Sequence, residues 1–317
     1  MRRSTTRRWT TLGAVALACV ALIGASSSPA SAIETPWPLT SDLINPKPLD
    51  PAIALLLALP TPYTPYTGSI CPGGEDACVD DVIEEMEERL EPLAESCSHD
   101  AIFSLAYLRV TENVRDANRS GYFDDRAWLN TLDTIFADMY FRTLDDYKDG
   151  KTVPPAWKVA LDASEKRTLN GLGNFMINMN AHINNDFPRA LAEVGLRAED
   201  GTSHKSDHNA YNQRLDGLYR PVFTEETQRF DPMFDAYHVG PIEGTAAGII
   251  MRLWREGVWR NAELVAKAKT PAQKKSVSTW IDTYALAQAR LIEAIPIFRA
   301  NSTSNANRDA WCAEHHG

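Results

Sequence analysis

His182 and Asp186 stand one helical turn apart in a segment that otherwise has the spacing of a buried helix. The apolar residues of this segment recur every three or four positions, as on the core face of a helix: Leu172, Phe175, Met176, Met179 and Ile183. An imidazole and a carboxylate at this spacing can share a metal ion, a proton or a hydrogen bond. The sequence therefore places its candidate chemistry on this helix.

A metal-dependent hydrolase is the most specific interpretation of this pair. Imidazole and carboxylate are ligands that zinc, iron or manganese accept, and positions four apart put both on one side of an ion. Asp207 or His208, at the start of a later predicted helix, would supply a further ligand. Metal-bound water is a nucleophile near neutral pH and suits ester or phosphodiester hydrolysis, with Glu256 or Asp100 as the general base.

The same residues also have a plain structural interpretation. Asn178, His182, Asn185 and Asp186 would form a hydrogen-bonded network inside a helical bundle, and such networks also line ligand pockets. Other polar residues have equally ordinary roles: Asp207 as the N-cap of its helix, Asn212 as a hydrogen-bond partner, Arg255 and Glu256 as solvated or paired charges, and His204 and His238 as surface residues.

The N-terminus has the pattern of a secretory signal. Two arginine pairs precede an apolar stretch from Leu12 to Ile23, and Ala30-Ser31-Ala32 supplies the small residues of a cleavage site. Cleavage after Ala32 predicts a secreted chain that begins at Ile33. No later segment holds the roughly 18 apolar residues that a transmembrane helix needs, so none is predicted in the mature chain.

Acidic residues outnumber basic ones, 42 to 32, which gives a formal net charge of -10. Residues 1–32 contain four arginines and no other charged side chain, so their removal takes the charge from -10 to -14. Binding to phosphate backbones relies on clustered lysine and arginine, and the sequence has no such cluster. Nucleic acid is therefore not a predicted partner.

Four cysteines remain after the signal: Cys71, Cys78, Cys97 and Cys312. An even number in an oxidising compartment predicts two disulfides, for which three pairings are possible. We favour Cys71 with Cys78, across a short Pro-Gly-Gly loop, and Cys97 with Cys312, which would tie the C-terminal tail to the first long helix. Zinc binding is the alternative, although the spacings match no zinc finger or ribbon.

A proline-rich arm is predicted over residues 33–78, with the apolar stretch from Ile53 to Leu59 packed on the remainder. Residues 79–317 have helical periodicity nearly throughout and no sustained strand alternation, which predicts one all-α, bundle-like domain of eight or nine helices. Pro188 is expected to end the helix of His182, because proline disfavours helical geometry at the preceding residue. Asp186 would then lie at a helix end.

Six segments between Asp100 and Asn261 carry distinctive motifs: Asp100–Thr111, Gly121–Asp124, Pro154–Trp157, Asn180–Pro188, Asp207–Asn212 and Arg255–Asn261. The most specific is Asn-Ala-His-Ile-Asn-x-Asp, which begins at Asn180. Together they resemble an uncharacterised family of all-helical actinobacterial proteins, over roughly Cys97 to Ala268. The resemblance implies no activity, substrate or cofactor. One departure is His208, where an aromatic residue is expected.

A second resemblance concerns His182 and Asp186 with the nearby Pro188. This segment is similar to the His-x-x-x-Asp helix of the all-helical zinc-dependent phospholipase C and single-strand nuclease group, and it implies metal ions held by His and Asp. His208 and Asn212 have the spacing of a second pair, with an amide in place of the carboxylate. Those enzymes use three metal ions and an N-terminal Trp, so the resemblance implies at most a reduced site of one or two ions here.

Three functions remain open at this point. The first is a secreted metal-dependent hydrolase; the second is a non-enzymatic exported protein that binds a small molecule or lipid; the third is a structural or cell-surface interaction protein. Serine-hydrolase elbows, zincin helices, phosphate loops and dinucleotide fingerprints do not occur in the sequence. Further pocket candidates, beyond the metal ligands, are Asn178, Asn185, Asn212 and Trp259.

Overall fold

The computed structural model describes residues 49–235 and 242–316, with residues 242–247 described by their backbone. The predicted signal peptide, the start of the arm and His238 lie outside these ranges. The α-helices of the described residues are α1 (Leu49–Ala54), α2 (Asp76–Glu95), α3 (Asp100–Arg119), α4 (Arg126–Lys148), α5 (Pro155–Glu165), α6 (Gly171–Asn180), α7 (Phe187–Val194), α8 (Lys205–Arg229), α9 (Ile242–Lys267), α10 (Pro271–Ala294) and α11 (Ser302–His315). A π-helix, Ala181–Asp186, joins α6 to α7, and a 3-10 helix, Pro296–Phe298, follows α10.

The prediction of an all-α fold is confirmed. Across the described ranges there is no strand, and only two isolated bridges join extended residues, Leu169 with Arg299 and Arg197 with Ser203. Ten helices, α2 to α11, build the bundle where eight or nine were predicted. One reason is α11, which starts anew at the cap formed by Asn301 after the 3-10 turn.

Helix α8 continues through Pro221, although a proline inside a helix removes a backbone donor. None of the helices in the described part of the chain combines length with enough apolar character to cross a bilayer.

The helix of His182 does not end before Pro188, and that prediction was wrong. Phe187 has helical dihedrals, φ -58° and ψ -40°, so α6, the π-helix and α7 form one continuous helical segment from Gly171 to Val194. In a π-helix the backbone hydrogen bonds span five residues instead of four. Pro188 follows the π-helix at the second position of α7, where the first turn of a helix requires no amide donor. Asp186 therefore lies inside the segment.

This continuous segment forms the centre of the bundle. Its first part, α6, packs on α3, α5 and α10, the π-helix contacts α4, α5, α9 and α10, and α7 packs on α4 and α9. Helices on all sides bury most of the central segment, in which only Glu193 near the C-terminal end is exposed. Most of its polar side chains are consequently buried: Asn174, Asn178, Asn180, His182, Asn184, Asn185 and Asp186.

Side chains cap the first turns of α4 and α10, whereas Asp207, the predicted N-cap of α8, does not cap that helix. The side chain of Asp125 accepts a hydrogen bond from the amide of Trp128 and begins α4, and Thr270 begins α10 with a complete capping box. Asp207 does not cap its own helix, because α8 already begins at Lys205. Its carboxylate instead accepts the backbone N–H groups of Asp124 and Asp125, each at 2.9 Å, and so fixes the start of α4.

The arm is held to the bundle mainly through its backbone. Arg260 donates to the carbonyl groups of Leu56 and Leu57, and Glu263 accepts the N–H of Leu59 at 2.6 Å. Ile53 is buried, as expected for an apolar stretch that packs on the bundle. Leu55 and Leu57 are 80% and 77% exposed, so most of that stretch does not pack there.

Both disulfides have the favoured pairing, Cys71 with Cys78 and Cys97 with Cys312. The second disulfide joins residues that are 215 apart in sequence and connects α11 to Cys97, two residues after the end of α2. The first joins residues that are only seven apart.

Replacing Cys97 and Cys312 together by serine should lower the free energy of unfolding by about 2–5 kcal/mol, because a very long loop is released in the unfolded chain. The matched control, Cys71→Ser with Cys78→Ser, releases a short loop and should cost less. Urea unfolding of the two variants measures the difference. Equal losses would contradict the role given to the long-range bridge.

Candidate functional site

A hydrogen-bonded triad of side chains surrounds the carboxylate of Asp186. Nδ1 of His182 lies 3.0 Å from Oδ2, and the indole N–H of Trp157 donates to the same oxygen at 2.7 Å. The amide of Asn185 donates to Oδ1 at 2.6 Å. A carboxylate can only accept, so the proton of the neutral imidazole is on Nδ1. This arrangement fixes both the tautomer and the orientation of His182.

Aromatic rings enclose the imidazole. Phe136 stacks on it at 3.6 Å between centroids with an interplanar angle of 3°, and the ring of Tyr107 lies 4.5 Å away. Burial lowers the pKa of His182, and the nearby Asp186 only partly opposes this effect. The ring is therefore neutral at pH 7. Its Nε2 is buried and has no hydrogen-bond partner among the described residues.

A cavity of about 130 Å³ lies beside this ring. Most of its wall is apolar, with Val110, Leu132, Phe175, Met179 and Val222 among the lining residues. Cavities of this size in protein cores accept a benzene-sized molecule. Polar side chains line it as well: Tyr107, Asp133, His182, Asp207, His208, Tyr211, Tyr219 and Arg255.

Arg255 brings a positive charge to this apolar cavity. Its Nε donates to Oδ1 of Asn212 at 2.9 Å, and a second nitrogen donates to the carbonyl of His208. In the described part of the chain no carboxylate lies within ion-pair distance of it. Burial lowers the pKa of Arg255 to about 10, so it remains charged at pH 7. Phe187 and Tyr211 flank the guanidinium at 5.5 and 5.7 Å from the ring centroids.

Asp133 and Tyr107 bring two further buried polar groups to the wall. Oδ2 of Asp133 and the hydroxyl of Tyr107 are buried and without a partner in the described ranges. Burial raises the pKa of Asp133 to about 7, because an ionised carboxylate is poorly solvated there. Burial, and secondarily the charge of Asp133, raise the pKa of Tyr107 well above its usual value.

Two of the other predicted metal ligands, Asp207 and His208, line the same cavity as His182. Their ligand atoms are already engaged, since Asp207 accepts two backbone N–H groups and Nε2 of His208 lies 3.0 Å from the carbonyl of Arg255. Both oxygens of Asp186 are likewise hydrogen-bonded. Within the described ranges, only Cys71, Glu75 and Cys78 place three candidate ligand atoms within 4.8 Å of one another, and these two cysteines share a disulfide.

The two candidate bases lie apart from the cavity. Glu256 is buried and pairs with Lys205 and Arg260, each at 2.7 Å, which makes it part of an ion-pair network between α8 and α9. Asp100 begins α3 near Ser98, and burial raises the pKa of its carboxyl group.

The amide pocket candidates have separate partners. Asn178 donates to the carbonyl of Asn174, Asn212 accepts from Arg255, and Asn185 joins the carboxylate of Asp186. The indole N–H of Trp259 donates to Glu263 at 2.9 Å, and its ring lies 5.2 Å from His208.

His204, which was assigned to the surface, is in the core. It is buried and stacks on Trp128 at 4.4 Å, because the turn before α8 folds back on α4. Arg255 is 7% exposed and has no carboxylate partner in the described residues, although a solvated or paired charge was expected. The sequence does indicate that Arg255 is buried, because it stands four residues after Met251 and four before Trp259, within an apolar stripe of α9. Asp133 has the same signal in α4, four residues after Leu129 and four before Ala137.

Residues 79–295 match a family of unknown function, DUF5995. The chain belongs to this family. No curated protein and no solved structure matches the chain. The matched DUF5995 region contains the central helical segment, the cavity wall and Arg255.

Replacing Trp157 by Phe should lower the free energy of unfolding by about 1–3 kcal/mol, because a buried carboxylate loses a donor. The control is Trp280→Phe: Trp280 also donates a hydrogen bond, to Asn261, but is 42% exposed. Chemical denaturation measures both variants. An equal or larger loss for the control would contradict the assigned role of Trp157.

Asp133 should make the protein less stable at high pH. Because its pKa is raised in the fold, the destabilisation is absent below the pKa of the unfolded chain, near 4, grows as pH rises, and is complete above about 7. Asp133→Asn should remove that part of the pH dependence, worth on the order of a few kcal/mol. Thermal unfolding from pH 4 to pH 8 tests this, with the exposed Asp116→Asn as control. Parallel profiles for wild type and Asp133→Asn would contradict the burial of an unpartnered carboxyl group.

Proposed function

We propose that the protein binds a small, mostly apolar molecule that carries an anionic group, with the anion on Arg255 and the apolar part in the cavity. The supporting observation is a buried guanidinium that lines an apolar cavity and has no carboxylate partner in the described residues. A carboxylate is the simplest anion for this position, because it matches the donor geometry of arginine.

The energetics favour such a ligand. A buried charge without a counter-ion is costly, and removal from water strengthens its attraction to an opposite charge. Apolar ligand surface contributes about 25 cal/mol for each Å² removed from water. Phe187 and Tyr211 hold the guanidinium from two sides, so little conformational freedom is lost on binding.

The size of the cavity limits the ligand. A volume of about 130 Å³ suits a single aromatic ring or a medium alkyl chain. We therefore propose carboxylates of the size of hexanoate or octanoate as the ligand class.

Metal-dependent hydrolysis is less well supported by the same geometry. Ligation by Asp186, Asp207 or His208 would first require their present hydrogen bonds to break. Export of the mature chain after Ala32 remains part of the proposal. Two disulfides support it, since they persist in oxidising compartments.

Calorimetric titration with hexanoate and octanoate tests the binding proposal. Arg255→Met should weaken binding of both acids at least tenfold, while binding of octanol, which has the chain without the charge, should change little. The fold should tolerate the change, since Met fills a similar volume without a buried charge. Arg142→Met, at an exposed site in α4, is the matched control.

Two results would overturn the proposal. One is the absence of binding by either acid to the wild-type protein. The other is equal affinity of wild type and Arg255→Met for them. Stoichiometric zinc, iron or manganese in protein purified without an affinity tag would favour the hydrolase instead.

A further inference from the structure

We infer that the ligand carries a hydroxyl group as well as its anionic group, and that the hydroxyl binds to a second subsite formed by Tyr107, Asp133 and His182. This inference rests on the proposed function, because it concerns the same cavity. It narrows the ligand class from apolar carboxylates to hydroxy acids.

Three unsatisfied polar groups belong to neighbouring side chains of the cavity wall. The hydroxyl of Tyr107, Oδ2 of Asp133 and Nε2 of His182 are each buried without a partner in the described residues. The rings of Tyr107 and His182 are 4.5 Å apart between centroids. Asp133 lies one helical turn before Phe136, which stacks on His182. A buried polar atom without a hydrogen bond costs about 1–3 kcal/mol, so a ligand group that satisfies these atoms gains affinity.

The chemistry of these groups determines what they can bind together. Because Nδ1 of His182 donates to Asp186, Nε2 of the neutral ring is an acceptor. The phenol of Tyr107 is a donor, since burial keeps it protonated. Because burial raises the pKa of Asp133 to about 7, its carboxyl group is mostly protonated below that pH, and its O–H then donates as well. The complementary ligand group must donate one hydrogen bond and accept one or two.

A hydroxyl has this combination. Its O–H would donate to Nε2 of His182, and its lone pairs would accept from Tyr107 and Asp133. A carbonyl can only accept and would leave Nε2 of His182 unsatisfied. An ammonium can only donate and would leave the phenol of Tyr107 without an acceptor.

The two subsites are separated by aromatic rings. Phe136 stacks on His182, Phe187 lies 4.6 Å from Phe136, and Arg255 lies 5.5 Å from the centroid of Phe187. The ligand would therefore pack an apolar segment along Phe136 and Phe187, with its hydroxyl and its carboxylate at opposite ends. An ω-hydroxyalkanoate is the simplest molecule with this pattern.

Competitive calorimetry with hexanoate, octanoate and their ω-hydroxy, ω-oxo and ω-amino derivatives tests the inference. One of the ω-hydroxy acids should bind at least about tenfold more tightly than its parent, as for the hydrogen bonds of a buried hydroxyl. The ω-oxo and ω-amino acids should show a smaller gain or none. Tyr107→Phe and His182→Asn should each reduce the hydroxyl preference while affinity for the parent acid is kept. The amide of the asparagine replaces Nδ1 as a donor to Asp186, and the substitution removes Nε2 together with the rest of the ring.

Several results separate this inference from the proposed function. Equal affinity for hydroxy and parent acids would overturn the hydroxyl subsite and leave the anion site on Arg255 intact; it is also the result expected if water molecules occupy the subsite. A hydroxyl preference that persists in both variants would overturn the assignment of its residues. Tightest binding of an ω-amino acid would overturn the choice of hydroxyl. Binding of none of these acids would remove both proposals. Thermal unfolding of each variant shows that it is folded, and Tyr122→Phe, at an exposed tyrosine, is the control.

Discussion

A polar helix runs through the middle of the bundle, and the rest of the structure depends on how its side chains are satisfied. Burial of an amide or carboxylate is tolerated only when hydrogen bonds replace those with water. Asn174 donates to the carbonyl of Leu169, Asn180 to that of Ala285, and Asn184 to the side chain of Asn180. The bond to Ala285 joins the segment to α10, and the bond of Trp157 to Asp186 joins it to α5. Such bonds select one arrangement of helices where apolar packing alone would allow several.

The π-helix is the part of this segment in which hydrogen bonds for the buried side chains are hardest to provide. Three N–H groups converge on Asp186, which leaves His182 neutral and immobile among aromatic rings. The one atom of this group that the network does not satisfy, Nε2 of His182, belongs to a side chain that lines the cavity. Tyr107 and Asp133 add two more unsatisfied atoms, and Arg255 adds a charge. Other buried atoms without a partner lie elsewhere in the described residues, among them Oδ1 of Asn174 and both carboxylate oxygens of Glu226. Those of Tyr107, Asp133 and His182 belong to side chains of one cavity wall, which is the physical reason to regard the cavity as a binding site.

Much of the fold follows from local signals in the sequence. Asp125 and Thr270 predict helix starts because capping depends on a side chain and the next three residues. Pro188 misled the prediction because a π-turn, which rearranges the backbone around it, has no simple sequence signature. The burial of His182 and Asp186 could be predicted from their place beside an apolar stripe. Arg255 and Asp133 occupy similar stripes, but a lone charge on a helix is usually solvated, and only the packing of α4, α8 and α9 shows these two to be buried. The partners of Asp207 were also unpredictable, since Asp124 and Asp125 are more than 80 residues away in sequence.

We propose that the buried guanidinium of Arg255, which has no carboxylate partner among the described residues, makes the cavity a site for an apolar anion. A crystal structure of the protein with bound octanoate tests this proposal most directly. We expect the carboxylate within hydrogen-bond distance of the guanidinium of Arg255 and the alkyl chain along Phe136 and Phe187. An octanoate bound outside this cavity, or bound inside it with its carboxylate away from Arg255, would contradict the proposal.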